Sequence, residues 1–186
     1  MGACGALGAG LVPVGAAAGD TAFQKEAMYY EKLPGNNIRC MICPRKCVVG
    51  DSQRGYCGVR ENIGGKYYTI VYGRVCAYHI DPIEKKPLFH FLPGTSAFSI
   101  ATAGCNMECK FCQNWEISQA DPENVEAVDL PPQKVAQAAQ RFGSPTIAYT
   151  YTEPIVYYEY VSDTVREGHK LGLRSVCISA GYINQE

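Results

Sequence analysis

From Thr95 onward the apolar residues change period in turn, and that alternation leaves few folds open. Thr95 to Thr102 alternates β-branched and aromatic residues with small ones, the pattern of a strand, and runs straight into Gly104-Cys105. Pro131-Pro132 then open a segment whose apolar positions Val135, Ala138, Ala139 and Phe142 fall at i, i+3, i+4 and i+7, one face of a helix, with Gly143 where a C-terminal cap belongs. A short strand follows at Thr146 to Thr150. Pro154 is placed as the first residue of a second helix reaching about Leu171 and stopped by Gly172, and Arg174 to Ser179 reads as a third strand. This β-loop-α-β-α-β order predicts an α/β fold with parallel strands joined by right-handed crossovers.

The loop after the first strand carries Cys105-Asn-Met-Glu-Cys109-Lys-Phe-Cys112. A four-iron cluster normally takes four cysteines, so a compact loop with three and no fourth nearby leaves one iron open, which is how a catalytic metal site differs from a closed structural one. A zinc knuckle, or buried cysteines without metal, is the plainer alternative. In parallel α/β barrels catalytic groups stand on loops at the strands' C-terminal ends, where this loop is placed. The second strand ends in Tyr151-Thr152-Glu153-Pro154. The Glu153 carboxylate suits an ammonium donor in a dry cleft; the plain reading is an acid favoured at a helix start by the dipole.

The x3, x2 spacing, with Phe111 before the last cysteine, resembles the cluster motif of the radical S-adenosylmethionine (SAM) superfamily. The resemblance implies a partial (βα) TIM-like barrel in which Cys105, Cys109 and Cys112 hold a [4Fe-4S] cluster and Phe111 lies near the adenine of SAM. It further implies that the open iron chelates SAM, which is cleaved reductively to a 5′-deoxyadenosyl radical. Thr152, Glu153 and Pro154 fall where that family places a Gly-Gly-Glu-Pro-like segment against the SAM amino group, with Tyr151-Thr152 here in place of the two glycines. Ser179 stands at the end of the third strand, where related enzymes contact SAM.

A closer resemblance covers about residues 39 to 184. Cys40-x2-Cys43-Pro44-Arg45-x-Cys47, Gly55-Tyr-Cys-Gly-Val-Arg60, Asp81-Pro-Ile-Glu-Lys-Lys-Pro87, Phe89-His-Phe-Leu-Pro-Gly94, Cys112-Gln-Asn-Trp-Glu116 and Tyr149-Thr-Tyr-Thr-Glu-Pro154 are similar to the AmmeMemoRadiSam system radical SAM proteins. These are relatives of pyruvate formate-lyase activating enzymes. An oxidoreductase-like enzyme with a reducing partner such as a flavodoxin or ferredoxin is implied, acting on a substrate that the sequence does not name. Two alternatives stand beside it: a glycyl-radical activase, which needs a partner presenting a glycine loop, and a non-catalytic iron–sulfur or zinc module. No residue is singled out as a catalytic side chain beyond the cofactor ligands.

Cys40, Cys43, Cys47 and Cys57 form a second group, four thiols on turns containing Pro44, Gly50 and Gly55, enough to close a site on structural zinc or an auxiliary cluster. Gly64-Gly65 between two β-like runs reads as a hairpin turn. Ten cysteines in 186 residues would suit a secreted disulfide scaffold, but Cys-x2-Cys and Cys-x3-Cys are metal-ligand spacings, and with 47% hydrophobic residues the chain can build an ordinary core. Reducing surroundings, and so the cytoplasm, are expected. Ala3 to Ala18 is Gly/Ala-rich and signal-like without basic residues, which leaves export open; broken by Pro13, it is too short for a membrane span. The net charge is −1 and the seventeen Lys and Arg are scattered, which argues against nucleic acid as a partner.

The expected organisation is a tail or signal-like segment over 1–37, a Cys-rich β subdomain over 38–94, and the N-terminal half of a radical SAM barrel over 95–186, truncated after about three strands. Such a chain is expected to be a gene fragment, or to take its remaining strands from another chain, and alone to hold a cluster poorly and turn over weakly. Lys85-Lys86 reads as a solvated loop flanked by Glu84, Cys76 and Cys177 as small core residues, His90 as a structural histidine, and Trp115 as packing under the cluster loop. Gln113 and Asn114 are placed to donate hydrogen bonds to cluster sulfurs.

Overall fold

The computed structural model describes residues 13–14 and 21–185. Apart from the backbone of Pro13–Val14, which pairs antiparallel with Ala127–Asp129, the signal-like Ala3 to Ala18 stretch and Cys4 lie outside the described residues. The central sheet has four strands, β1 (Ala77–Pro82), β2 (Ser96–Ala101), β3 (Thr146–Tyr149) and β4 (Arg174–Cys177), in the order β4-β3-β2-β1. β2, β3 and β4 are parallel, in register through Phe98↔Ile147 and Ala148↔Val176. Helix α2 (Pro132–Arg141) crosses from β2 to β3 and α3 (Tyr158–Lys170) from β3 to β4, after the short turn α1 (Trp115–Ser118). The α/β reading therefore holds. β1 was not foreseen; it runs antiparallel to β2, with Asp81 opposite Ala97 and His79 opposite Ser99. Among the described residues the sheet is open, with β4 and β1 at its edges.

The strand alternation sorts residues onto two faces. Phe98, Ile100, Ile147 and Tyr149 point toward the helices and join Val135, Ala139, Tyr157 and Tyr160 in the main core. Phe142 stacks on Phe98 with ring centroids 6.3 Å apart. The second helix begins as a 3-10 turn, Pro154–Tyr157, because Pro154 sits where its missing N–H costs nothing and Glu153 accepts the Ile155 N–H.

Two small antiparallel sheets precede this layer, Lys25–Glu26 with Lys66–Thr69 and Arg60–Ile63, and Tyr30–Lys32 with Ile38–Cys40 and Val48–Val49. Within the segment expected as a tail over 1–37, residues 25–26 and 30–32 are strands of these two sheets. Gly64 and Gly65, at φ 61° and 79°, make the two-residue turn joining Arg60–Ile63 to Lys66–Thr69, as their sequence predicts.

Arg60 anchors the subdomain to α3. Its guanidinium, fully buried, donates to both oxygens of Glu159 at 2.7 and 3.0 Å and to the carbonyls of Val156 and Met28. A second contact is made by Gly104, whose φ is +86° and where an added Cβ would stand 2.5 Å from the Cys57 carbonyl oxygen and 2.5 Å from Val59 Cγ1. Gly104→Ala combines a left-handed strain of about 1–3 kcal/mol with overpacking of a similar size. Its urea midpoint should fall well below that of Gly64→Ala, which meets nothing within 4 Å and carries the backbone strain alone; equal midpoints would mean that the two layers do not touch through Gly104.

Candidate cofactor site at the cysteine loop

The cysteine loop leaves β2 at buried Thr102 and is closed at its base by Gly104 N–H donating to the Ile117 carbonyl at 2.9 Å. Buried Asn106 fixes its first half: the side chain donates to the Tyr182 carbonyl at 3.0 Å, and its own carbonyl accepts Arg45 Nε at 2.9 Å. The Cys105 sulfur accepts the Met107 N–H at 3.4 Å, Cys112 Sγ lies 3.3 Å from Ser118 Oγ, and a tight turn joins Cys112 N–H to the Cys109 carbonyl. Cys105 and Cys112 are half-buried and Cys109 is exposed. Burial pushes the Cys105 thiol up; the N–H groups of Met107 and Glu153 pull it back, while the charges of Glu153 and Cys112 add to the rise.

Glu153 stands beside this loop, only 4% exposed. Oε1 accepts Ser179 Oγ–H at 2.7 Å and Ile155 N–H at 3.3 Å, and Oε2 accepts Ala180 N–H at 2.9 Å, so the carboxylate links the loops after β3 and β4. Among the described residues Oε2 accepts this one bond and keeps a second lone pair. Thr152 Oγ donates to the Thr102 carbonyl at 2.9 Å, holding the β3 loop to the end of β2, and Pro154 is buried behind it. The geometry thus brings Cys105, Thr152, Glu153, Pro154 and Ser179 to the C-terminal ends of three parallel strands. Phe111 is 89% exposed.

A three-sulfur loop thus stands at these strand ends beside a buried carboxylate. Residues 99–186 match the Radical SAM superfamily. Members of that superfamily typically bind a [4Fe-4S] cluster and SAM. Uncharacterized protein MJ0808 of Methanocaldococcus jannaschii is 49% identical over 162 residues, which are 87% of this chain and 49% of that protein. Uncharacterized protein MJ0674 of the same organism is 32% identical over 81 residues, 43% of this chain and 19% of that protein. The chain thus spans about half the length of the first relative and less of the second. No solved structure matches it.

The residues of the radical SAM segment fit the cluster by the chemistry of their donors: three soft sulfurs, an N–H on one and a hydroxyl against another, and a carboxylate with a free lone pair next to them. Among the described residues no three His, Cys, Asp or Glu side chains are gathered as a ready set for a metal ion. Asn114, expected to reach a sulfur, instead donates to the Tyr151 carbonyl at 3.0 Å. Trp115 is 62% exposed and does not pack under the loop, because α1 turns its first residue outward.

In the upstream group Cys40 and Cys43 are buried and Cys47 and Cys57 half-buried, on turns closed by Lys46 N–H to the Cys43 carbonyl and Gly58 N–H to the Gly55 carbonyl. Burial pushes the Cys57 thiol up to about 12, against the pull of the Val59 N–H and the Arg60 cation. Arg60 Nε and the Tyr67 hydroxyl, both buried, have no nitrogen or oxygen partner among the described residues. Cys57 and Cys105 line one small cavity of about 90 Å³ with Tyr56, Ser118 and Asp121, so the two cysteine groups are neighbours.

Other expectations are corrected by burial. Cys177 is exposed at the edge strand β4, whereas Cys76 is half-buried against the Ala101 carbonyl. His90 is exposed. Lys86 is not solvated: it is 3% exposed and donates to Asp81 Oδ2 at 2.6 Å, while Lys85 donates to Oδ1 at 2.9 Å. Tyr151 also donates its hydroxyl to Asp81 Oδ2. Burial alone would raise the Asp81 carboxyl, but hydrogen bonds from Lys86, Tyr151 and Lys85 outweigh it and hold it well below the usual carboxylate range. The local signal for this network was Asp81 four and five residues before the two lysines, a spacing that also suits an exposed loop. Among the described residues no helix is long and apolar enough to cross a membrane.

Proposed function

We propose that this chain provides the cluster- and SAM-binding portion of a radical SAM enzyme of the AmmeMemoRadiSam type, related to the pyruvate formate-lyase activating enzymes, with its parallel strands forming the first part of a TIM-like barrel. The observation that supports it best is the buried Glu153 carboxylate beside the Cys105 sulfur. Cys105, Cys109 and Cys112 would hold the [4Fe-4S] cluster, which when bound supplies the electron for reductive cleavage of SAM to a 5′-deoxyadenosyl radical. Glu153 receives the SAM ammonium on Oε2, a charge-assisted bond strengthened by its burial. Ser179 and Ala180 fix the orientation of that carboxylate, and Thr152 keeps the β3 loop against β2 so that sulfur and carboxylate stay adjacent. The stacking of Phe111 on the adenine requires its exposed ring to turn inward when SAM binds. Electrons come from a reduced carrier such as a flavodoxin or ferredoxin, in a reducing, cytoplasmic setting.

Cys40, Cys43, Cys47 and Cys57 are proposed to close on a second metal, zinc or an auxiliary cluster. The reading is supported by the buried Arg60 Nε, which has no partner among the described residues, and by the Tyr67 hydroxyl, whose hydrogen bond is to the Cys40 sulfur: thiolates of Cys40 and Cys57 would satisfy both donors.

The deciding experiment is EPR of the anaerobically reconstituted, dithionite-reduced chain with and without SAM, beside Cys109→Ala. A reduced four-iron signal that changes on adding SAM and is lost in the variant is expected. A signal indifferent to SAM would leave the non-catalytic iron–sulfur module standing.

A further inference from the structure

The face of the central sheet turned away from α2 and α3 holds a charged network that the cysteine loop does not use. By register Asp81 and His79 of β1, Ala97 and Ser99 of β2 and Ala148 of β3 share this face. The segment after β1 folds over it, with Ile83 buried against Ala97 and Ala148 and flanked by Leu88 and Phe91. That fold-over carries Lys86 inward. Its ammonium meets Asp81 Oδ2 on one side and the Tyr151 ring, 4.6 Å to the centroid, on another. Tyr151 adopts φ +66°, a left-handed conformation rare for an aromatic residue and the kind of strain that gathers at ligand sites.

Beside this network lies a cavity of about 480 Å³, a size that suits a small-molecule ligand, lined by Lys85, Lys86, Gln113, Asn114, Tyr151 and Thr152 among others. Its position is informative: Gln113 directly follows Cys112, and Thr152 directly precedes Glu153. Among the described residues no acidic side chain lines it. Two ammonium groups share one carboxylate, and that carboxylate already receives Lys85, Lys86 and Tyr151. One positive charge is left over at the wall of the cavity. Lys86 has three N–H donors and spends one on Asp81, so a nearly buried cation retains donors for an acceptor that no described residue provides. The amides of Gln113 and Asn114 add neutral polar groups at the rim.

We propose that this cavity is an anion subsite, in which Lys86, assisted by Lys85, seats a carboxylate or phosphate group of the molecule on which the radical acts. The assignment of that molecule as the radical's target rests on the radical SAM reading; the anion site itself does not. Asp81 and Tyr151 hold the Lys86 ammonium in place, and burial keeps water from competing for it.

The test is calorimetric titration of the full chain at low ionic strength with two probes, succinate and inorganic phosphate. Saturable binding of at least one is expected, weakened at least about tenfold in Lys86→Met, since a charge-assisted hydrogen bond is worth about 1.5–3 kcal/mol and 1.4 kcal/mol is a factor of ten. Lys86→Arg, which keeps the charge, should bind more tightly than Lys86→Met. Lys85→Met, altered at an exposed position, should fold normally and weaken binding by a smaller factor, which keeps the proposal testable if Lys86→Met unfolds. Absence of saturable heat from both probes, or unchanged affinity in the lysine variants, overturns it. SAM also carries a carboxylate, so the titration is repeated on cluster-reconstituted protein with S-adenosylhomocysteine shown to be bound: undiminished probe binding assigns the subsite to the substrate, and competitive displacement overturns that assignment. The titrations with succinate and phosphate alone need no cluster, so the outcome for the anion site is independent of the EPR result.

Discussion

Replacing Glu159 by Gln, or Arg60 by Met, is expected to cost the fold about 3–5 kcal/mol, because either change leaves a buried charge without its partner. Both side chains are fully buried and meet through two hydrogen bonds. Each also serves the backbone: Glu159 Oε1 accepts the Met28 N–H at 2.6 Å, and Arg60 donates to the Met28 and Val156 carbonyls. Water cannot reach the survivor to solvate it. Against a typical domain stability of about 5–15 kcal/mol, such a loss is a large fraction of the whole. Urea unfolding followed by far-UV circular dichroism measures it. The double variant Arg60→Met with Glu159→Leu removes both ions and is expected to recover a substantial part of the loss, since a buried pair is often no better than apolar groups of similar volume. Single variants that lose less than about 1 kcal/mol would place the pair among ordinary surface ion pairs and contradict its burial.

Glu153→Gln is expected to act on stability and on cofactor binding together. The amide keeps the shape but presents an NH2 group to one of the donors that the carboxylate now accepts, Ser179 Oγ–H or Ala180 N–H. One buried donor is then unsatisfied, at a cost of about 1–3 kcal/mol. Under the proposed function the charge-assisted bond to the SAM ammonium is lost as well. The SAM concentration that half-converts the EPR signal should then rise by roughly ten- to a hundredfold, again from 1.5–3 kcal/mol. Ser179→Ala separates the two roles, since it removes one donor and leaves the carboxylate charge intact. Its effect on SAM should be much the smaller. A Glu153→Gln protein with a lowered urea midpoint and an unchanged SAM response would make Glu153 a tie between two strand ends and nothing more.

The parts of the fold that could be read from sequence are those whose cause is local. The spacing of Val135 and Ala139 specifies a helix face, and Gly64-Gly65 specifies a turn, because both depend on residues a few positions apart. The parallel order of β2, β3 and β4 followed from the helices between them. Glu159 and Arg60 are 99 positions apart, and nothing around either marks it as half of a buried pair. Lys86 looked solvated for the same reason: the segment from Ile83 to Phe91 folds across a sheet face whose residues arrive later in the chain. Trp115 erred in the other direction, since its size suggested packing and its place at the first position of a one-turn helix turned it outward. Of the candidate site, the cysteine spacing and Glu153 were legible as chemistry. The links from Glu153 to Ser179 and Ala180 were not, because they join two loops through a single carboxylate.

The cysteine loop is held largely by other parts of the chain. Arg45 grips the Asn106 carbonyl, Tyr56 donates to Glu108, Gly104 lies against the Cys57 backbone, and the Asn106 side chain reaches Tyr182 near the far end. Residues 105 to 112 are therefore a portable word in the sequence and an immovable one in space. Grafted onto another strand end, the same eight residues would bring three thiols and none of the four clamps that shape the loop. Conversely, trimming the Cys-rich subdomain would damage this loop without altering a single letter of its motif.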